Sequence, residues 1–326
     1  MSLGATLSAS FLVTLVRPAT WPLALVAFLL RGGIVIVLAP VVAIPSVVGV
    51  GNAVAPGITA IVFGRLSMPE LAAAAGMVLG CLVVLVVGAF VAAVAEAEMT
   101  RVVAADEEVM ALAGPRSPTS NSTPDVASGS AGRILAVRLI AFLPLGFALV
   151  WGSVRVVAIA YRELTVPSET STPIAVRVMA GAPEVVAIVL VTWLLGQAIG
   201  AIGARQVVLV GASVRSALAA GIGRLLRHPG RTICLQVLPL AALVLVLVPS
   251  AAAAVTAWDA VRASLSTGGS AIASVGLVAL FVALWLGGLL LAAVVSAWRA
   301  AAWTVDAAGT FGATRSGREG DWNPHP

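Results

Sequence analysis

The chain predicts an all-α fold: a polytopic membrane helix bundle of six transmembrane helices, arranged as three hairpins, with N- and C-termini cytoplasmic. Three observations carry this. Of 326 residues, 60% are hydrophobic and 10% charged, and the mean hydropathy is +1.08; a soluble domain carries about 25% charge. Six apolar runs reach the roughly 20 residues that a helix needs to cross a bilayer. Basic residues gather in alternate connections between those runs. The composition excludes soluble globular, disordered and collagen-like chains.

The spans are expected at about residues 22–44, 71–95, 134–160, 183–204, 232–254 and 272–297. Lipid offers no partner to free backbone groups, so these runs must be helical, and the alternation of a membrane β-barrel is absent. Ahead of them, Leu3, Leu7, Phe11 and Leu15 recur every four residues, a spacing that suits a short amphipathic helix lying on the membrane. The basic charge at Arg17 follows the first apolar residues, the reverse of a cleavable signal peptide. Residues 46–64 are apolar but carry Gly49, Gly51, Pro56, Gly57 and Gly64, which weaken a helix. They read as an outer loop, with a re-entrant segment or a seventh span as the alternatives.

After the second span the helix is expected to run on from Glu96 to Ala113 with Glu96, Glu98, Asp106, Glu107 and Glu108. Residues 114–132 then turn to Pro, Ser, Thr, Asn and Gly, the composition of a flexible cytoplasmic linker. Residues 1–308 form one transmembrane helical domain in this reading, and the polar tail 309–326 is expected to be disordered.

All 19 basic residues are arginine, a usage that fits a GC-rich bacterial genome. With six spans and a cytoplasmic N-terminus, twelve arginines fall on the cytoplasmic side. Four, Arg65, Arg162, Arg177 and Arg262, fall outside. The imbalance predicts a multi-pass protein of the bacterial cytoplasmic (inner) membrane. Arg17-Pro18 before span one and His228-Pro229 before span five hint at a parallel internal repeat.

Arg31 lies about ten residues into span one, followed by Gly32 and Gly33. At 1.5 Å per residue that is near mid-membrane, where arginine costs about 2.5–3.5 kcal/mol on insertion scales. The sequence places no acidic residue at that depth, and leaves Gln197 or carbonyls loosened by the glycine pair as neighbours. Arg31 reads either as an anion or lipid-headgroup site at a broken helix, or as an arginine that snorkels or caps carbonyls. Nearer the ends of span three, Arg138 is expected to pair with Glu96 or Glu98, and Arg155 with Glu184. From Arg205 to Arg231 there are five arginines, one histidine and no acid. On a helical wheel Arg224, Arg227 and Arg231 cluster opposite Leu218, Ile222, Leu225 and Leu226. Together with Arg215 they form a basic amphipathic segment suited to anionic lipid or a protein partner. Gly76/Gly80 and Gly196/Gly200 have the spacing of helix-packing pairs, but chance supplies as many in a chain with 32 glycines.

No catalytic, cofactor-binding or metal-ligating residue emerges. His228 and His325 are the only histidines, which excludes histidine metal cages, and the absence of lysine excludes Schiff-base chemistry. No nucleotide-binding loop or serine elbow is present. Cys81 and Cys234 lie in apolar runs and are expected to form no disulfide. The basic face is too small and too close to the membrane for nucleic acid.

The runs Val208–Leu218 and Gly223–Pro229 resemble an element of six-span bacterial membrane proteins similar to the membrane domain that precedes some glycerophosphodiester phosphodiesterases. The resemblance implies a small-residue amphipathic helix leading into span five, and an integral membrane protein acting with lipids or membrane partners. The phosphodiesterase domain and its acidic ligands have no counterpart here. The expected function is therefore a non-enzymatic membrane protein that engages anionic lipid or a partner through its basic helix. The alternative is a small-molecule or ion transporter or channel built on a broken first helix at Arg31.

Overall fold

The computed structural model describes residues 1–38, 67–106, 124–166, 172, 174–268 and 270–320. Among these the structure is all helical, with no strand: α1 (Leu3–Val16), α2 (Thr20–Leu38), α3 (Met68–Ala104), α4 (Pro124–Ala141), α5 (Leu143–Thr165), α6 (Ile174–Ala180), α7 (Pro183–Val210), α8 (Val214–Arg227), α9 (Pro229–Ser266) and α10 (Ala271–Gly320). Among the described residues, six helices are long and apolar enough to cross a membrane: α2, α3, the Leu143–Glu163 part of α5, α7, α9, and α10 from Ala271 to Thr310. The end of span one and the segment 46–64 lie outside the described residues.

Three boundaries differ from those expected. Span three does not begin at residue 134: α4 ends at Ala141 and α5 restarts at Leu143, with Phe142 between them. Pro144 has no N–H to offer the carbonyl four residues back, so the ladder breaks there. Arg138 accordingly precedes the span instead of lying in it. Residues 124–132, read as linker, are helical, opened by Pro124 at a position where a missing N–H costs nothing; residues 114–123 lie outside the described residues. The expected tail is helical to Gly320, because no proline interrupts the chain from Ala271 to Gly320.

The chain divides into two compact units. Residues 1–17, 97–240 and 298–326 make the first, and residues 18–96 and 241–297 the second. In the first unit α7 presents glycines to α4: a Cβ on Gly196 would lie 3.0 Å from the Ala141 carbonyl oxygen, and one on Gly203 2.6 Å from the Val137 side chain. Gly221 on α8 meets the Ile199 carbonyl in the same way. Without a solvent-driven force between helices in lipid, close backbone approach of this kind is a main source of cohesion. A Cβ on Gly76 or Gly80, spaced like Gly196 and Gly200, would meet no atom of another described element within 4 Å.

α1 forms the short helix that the sequence predicted, with its hydroxyl residues turned inward. Its buried residues are Thr6, Ser10, Val13 and Thr14, while Phe11 and Leu15 are exposed and Leu3 and Leu7 pack at the edge of a core with Leu235 and Trp303. The hydroxyls return hydrogen bonds to carbonyls one turn back, as from Thr14 to Ser10 at 2.8 Å. They therefore carry no unpaired polarity into the interior. The Trp298 indole donates to Leu7 O and Ser10 Oγ, both at 3.1 Å, and Val13 packs with Val103, Ala301 and Val305.

In the second unit Ala27 packs on Ala92 and Ala95, Trp258 tilts against Phe281 with ring centroids 5.1 Å apart, and Trp285 Nε1 donates to Val37 O at 2.9 Å. From Met77 to Val87 the large apolar side chains of α3 are exposed, as befits a face turned to lipid. Cys81 and Cys234 are free thiols.

Candidate functional site

Two arginine-centred sites stand out, one in each unit. In the second unit α2 opens into a single π turn over Leu29–Gly33. Gly32 sits at φ +102°, a region that β-carbons disfavour, and a Cβ on Gly33 would strike the Phe28 ring at 2.5 Å. The glycine pair is thus what allows the loosened turn that the sequence suggested. Arg31, at φ −93° and ψ 19°, reaches Glu96 on α3, with Nη2 2.5 Å from Oε2.

Glu96 is 1% exposed, which corrects the reading that no acid shares Arg31's surroundings. The sequence ended span two at residue 95 and put Glu96 just beyond it, whereas the apolar helix of spanning length takes in Glu96 and runs to Ala104. Gln197, offered as a neighbour for Arg31, instead accepts from Arg299 at 3.2 Å.

In the first unit, α1, α8, α9 and α10 converge on Asp306. The local sequence explains how. Gly211 adopts a left-handed conformation at φ +71° and ends α7, and the Ser213 hydroxyl caps α8. Arg133 donates to the carbonyls of Gly211 and Ala212 at 3.0 and 3.3 Å, holding that turn. α8 then ends at His228, because the residue before a proline is driven out of the helical region, and α9 starts at Pro229.

This break corrects the single helical wheel: Arg231 belongs to α9, not to the helix carrying Arg224 and Arg227. The bend lets Arg224 and Arg231 grip opposite oxygens of one carboxylate. Arg224 Nη2 donates to Asp306 Oδ2 and Nη1 to Thr310 Oγ1 at 2.7 Å. Arg231 Nε donates to Asp306 Oδ1 at 2.8 Å, Nη1 to Met1 O at 2.9 Å and Nη2 to Thr6 Oγ1 at 3.1 Å.

Asp306 is 3% exposed. Burial pushes the Arg224 guanidinium below its ordinary value, the Asp306 carboxylate opposes this, and the neighbouring Arg231 charge adds to the lowering. Arg224 remains a cation in spite of it, since arginine keeps its proton in proteins. A cavity of about 200 Å³ is lined by these groups, with His228 and Gly309 among them.

The other expected residues fall as follows. Arg215 and Arg227 are exposed on α8, with Ile222 and Leu226 exposed between them at 46% and 75%. The protein-facing side of α8 is Ala217, Gly221 and Arg224. Arg155 Nη2 lies 3.1 Å from Glu184 Oε1, both half exposed. Glu98 pairs with Arg101 at 3.0 Å. The Arg138 stem packs on Gly200.

Sequence reasoning missed Asp306, Thr6 and Thr310. The four-residue spacing of Ser2, Thr6, Ser10 and Thr14 was the available signal for the first helix. Asp306 and Thr310 are one helical turn apart, a pairing visible only once α10 was known to run through residue 308. Each buried carboxylate among the described residues meets arginine: Glu96 as above, Asp106 with Arg17 at 3.2 Å, Glu163 with Arg177 at 3.5 Å, and Asp306 with two. Comparison with protein-family models, with curated proteins and with solved structures finds no match to the chain.

Proposed function

We propose that this integral membrane protein is non-enzymatic and engages anionic lipid through α8 at the cytoplasmic face of a bacterial inner membrane. The carrying observation is the outward stripe of α8, where Ile222 and Leu226 stand exposed beside the exposed cations Arg215 and Arg227. Apolar side chains that enter the acyl boundary, next to arginines at phosphate level, are the composition of an interfacial helix. The likeness of residues 208–218 and 223–229 to six-span membrane domains supports the same reading.

The test is binding of phosphatidylglycerol to the purified full-length protein, followed by native mass spectrometry. At about 1 kcal/mol per arginine, the pair Arg215→Gln and Arg227→Gln is expected to weaken binding by roughly 30-fold. Unchanged binding by the folded double variant would overturn the reading. The orientation, with both termini cytoplasmic and three successive hairpins, rests on the arginine imbalance. A topology reporter fused after Arg227 is expected to read cytoplasmic, and a periplasmic signal would reverse the assignment.

A second reading, transport through the first helix, draws on the π turn and on the buried Arg31–Glu96 pair, since charges within membrane spans commonly line ion or substrate paths. The exposed stripe of α8 favours the first.

A further inference from the structure

We infer that the cavity beside Asp306 is a binding site for a phosphoryl group, carried either by a lipid headgroup or by a soluble phosphate. This site is distinct from the outward stripe of α8: it is built on the helix's protein-facing side, where Arg224 lies in line with Ala217 and Gly221. It therefore stands or falls separately from the reading above.

The argument begins with charge. Two guanidinium groups and one carboxylate line the cavity, so the fixed charge is positive even with the His228 imidazole neutral. Asp306 bonds Arg224 and Arg231 from one side and sets their planes. Arginine carries five N–H donors. Arg224 commits one to Asp306 and one to Thr310, and Arg231 commits three, to Asp306, Met1 and Thr6. Each guanidinium keeps N–H groups that no hydrogen bond among the described residues takes up. His228 stands on the same rim with no hydrogen-bond partner for its ring among the described residues.

The shape is suitable as well. The cavity holds about 200 Å³, several times the roughly 30 Å³ share of one water molecule in liquid, which is room for a tetrahedral oxyanion. Planar forks that offer parallel N–H groups match phosphate oxygens better than point charges do. The cavity also borders the first turn of α9, whose dipole favours an anion. Burial already disfavours the charge on Arg224, and a phosphoryl dianion would offset that. A carboxylate that holds two arginines in place while neutralising only one of them is the arrangement expected of a preformed oxyanion site.

The experiment follows thermal unfolding of the full-length protein in neutral detergent. Inorganic phosphate is titrated against chloride at matched ionic strength, and in parallel the protein is placed in nanodiscs of phosphatidylcholine with and without phosphatidic acid. Phosphate or phosphatidic acid is expected to raise the Tm, and His228→Ala and Arg231→Gln are expected to abolish the rise. Asp306→Asn removes the competing carboxylate, so its phosphate-dependent rise is expected to exceed that of the unsubstituted protein. If Asp306→Asn does not fold, His228→Ala, whose ring makes no hydrogen bond or ion pair among the described residues, decides the matter.

A rise with phosphate in detergent assigns a soluble ligand. A rise only with phosphatidic acid assigns a headgroup. No rise with either, or an equal rise with chloride, overturns the site. So does a rise that survives His228→Ala and Arg231→Gln; if that rise is lost in the Arg215→Gln, Arg227→Gln variant, the lipid contact belongs to the outer stripe alone.

Discussion

Replacing Asp306 with alanine is expected to destabilise the protein by about 3–5 kcal/mol, the usual cost of removing one partner from a buried charge pair. Two arginines lose their counter-charge at once, because Asp306 accepts from both Arg224 and Arg231. Arg231 also ties down the first helix through Met1 and Thr6, so the loss is expected to reach α1 and expose residues 1–17 to protease. The check is the unfolding midpoint in detergent together with limited proteolysis. The triple replacement Arg224→Met, Arg231→Met, Asp306→Leu is expected to recover most of the stability, since an apolar cluster of similar volume carries no desolvation penalty. An Asp306→Ala variant as stable as the parent would show that the three charges contribute nothing net.

Glu96→Ala is the second large effect, expected to cost about 3–5 kcal/mol. Glu96 is buried and its carboxylate meets Arg31; alanine there leaves a guanidinium beside an apolar helix pair. In a membrane that cation is held against an insertion cost of about 2.5–3.5 kcal/mol. Arg31→Leu alone removes this counter-charge from the acid instead, and the double variant Arg31→Leu, Glu96→Leu is expected to be closer to the parent than either single one. A double-mutant cycle measured by reversible unfolding reads the coupling directly. Additive single effects would remove the pair from any account of stability. If the stable double variant lost a solute flux that the parent supports, the pair would belong to a transport path.

These two predictions share a feature that explains what the sequence could show. Arg31 and Glu96 are 65 residues apart, and Arg224 and Asp306 are 82 apart. Hydropathy and arginine counting work on windows, so they locate helices, but no window contains both members of such a pair. The same holds for the glycines. Gly76/Gly80 and Gly196/Gly200 are alike as strings; a Cβ on the second pair would meet a neighbouring helix, and one on the first no atom of another described element within 4 Å. Local chemistry was readable where the cause was local. The Gly32-Gly33 break in α2 follows from the backbone freedom of those residues; the restriction before Pro229 that ends α8 is just as local, yet the helical wheel carried Arg231 across it.

The amphipathic helices show a subtler limit. For α1 the every-fourth leucine and phenylalanine suggested a membrane-lying face; Phe11 and Leu15 are exposed, and what the pattern left out is the buried stripe of Thr6, Ser10 and Thr14. For α8 the arginines were read as one outward face, yet Arg224 points inward and the outward stripe includes Ile222 and Leu226. In water an apolar stripe faces the protein. Against lipid, apolar side chains gain nothing by leaving the exterior, and small hydroxyl or glycine faces make the better helix contacts.

The sequence by itself determined the class: an all-α chain with six apolar helices of spanning length and a loosened turn at Arg31. Those conclusions depend on composition, length and backbone preference, which act residue by residue. Only the tertiary structure decided which carboxylates Arg31, Arg224 and Arg231 meet, that α10 runs to Gly320 and carries Asp306 into a core, and that Arg224, His228 and Arg231 border one cavity. The physical reason is that charge pairing is satisfied by nearness in space, and in this chain the partners come from helices far apart in sequence.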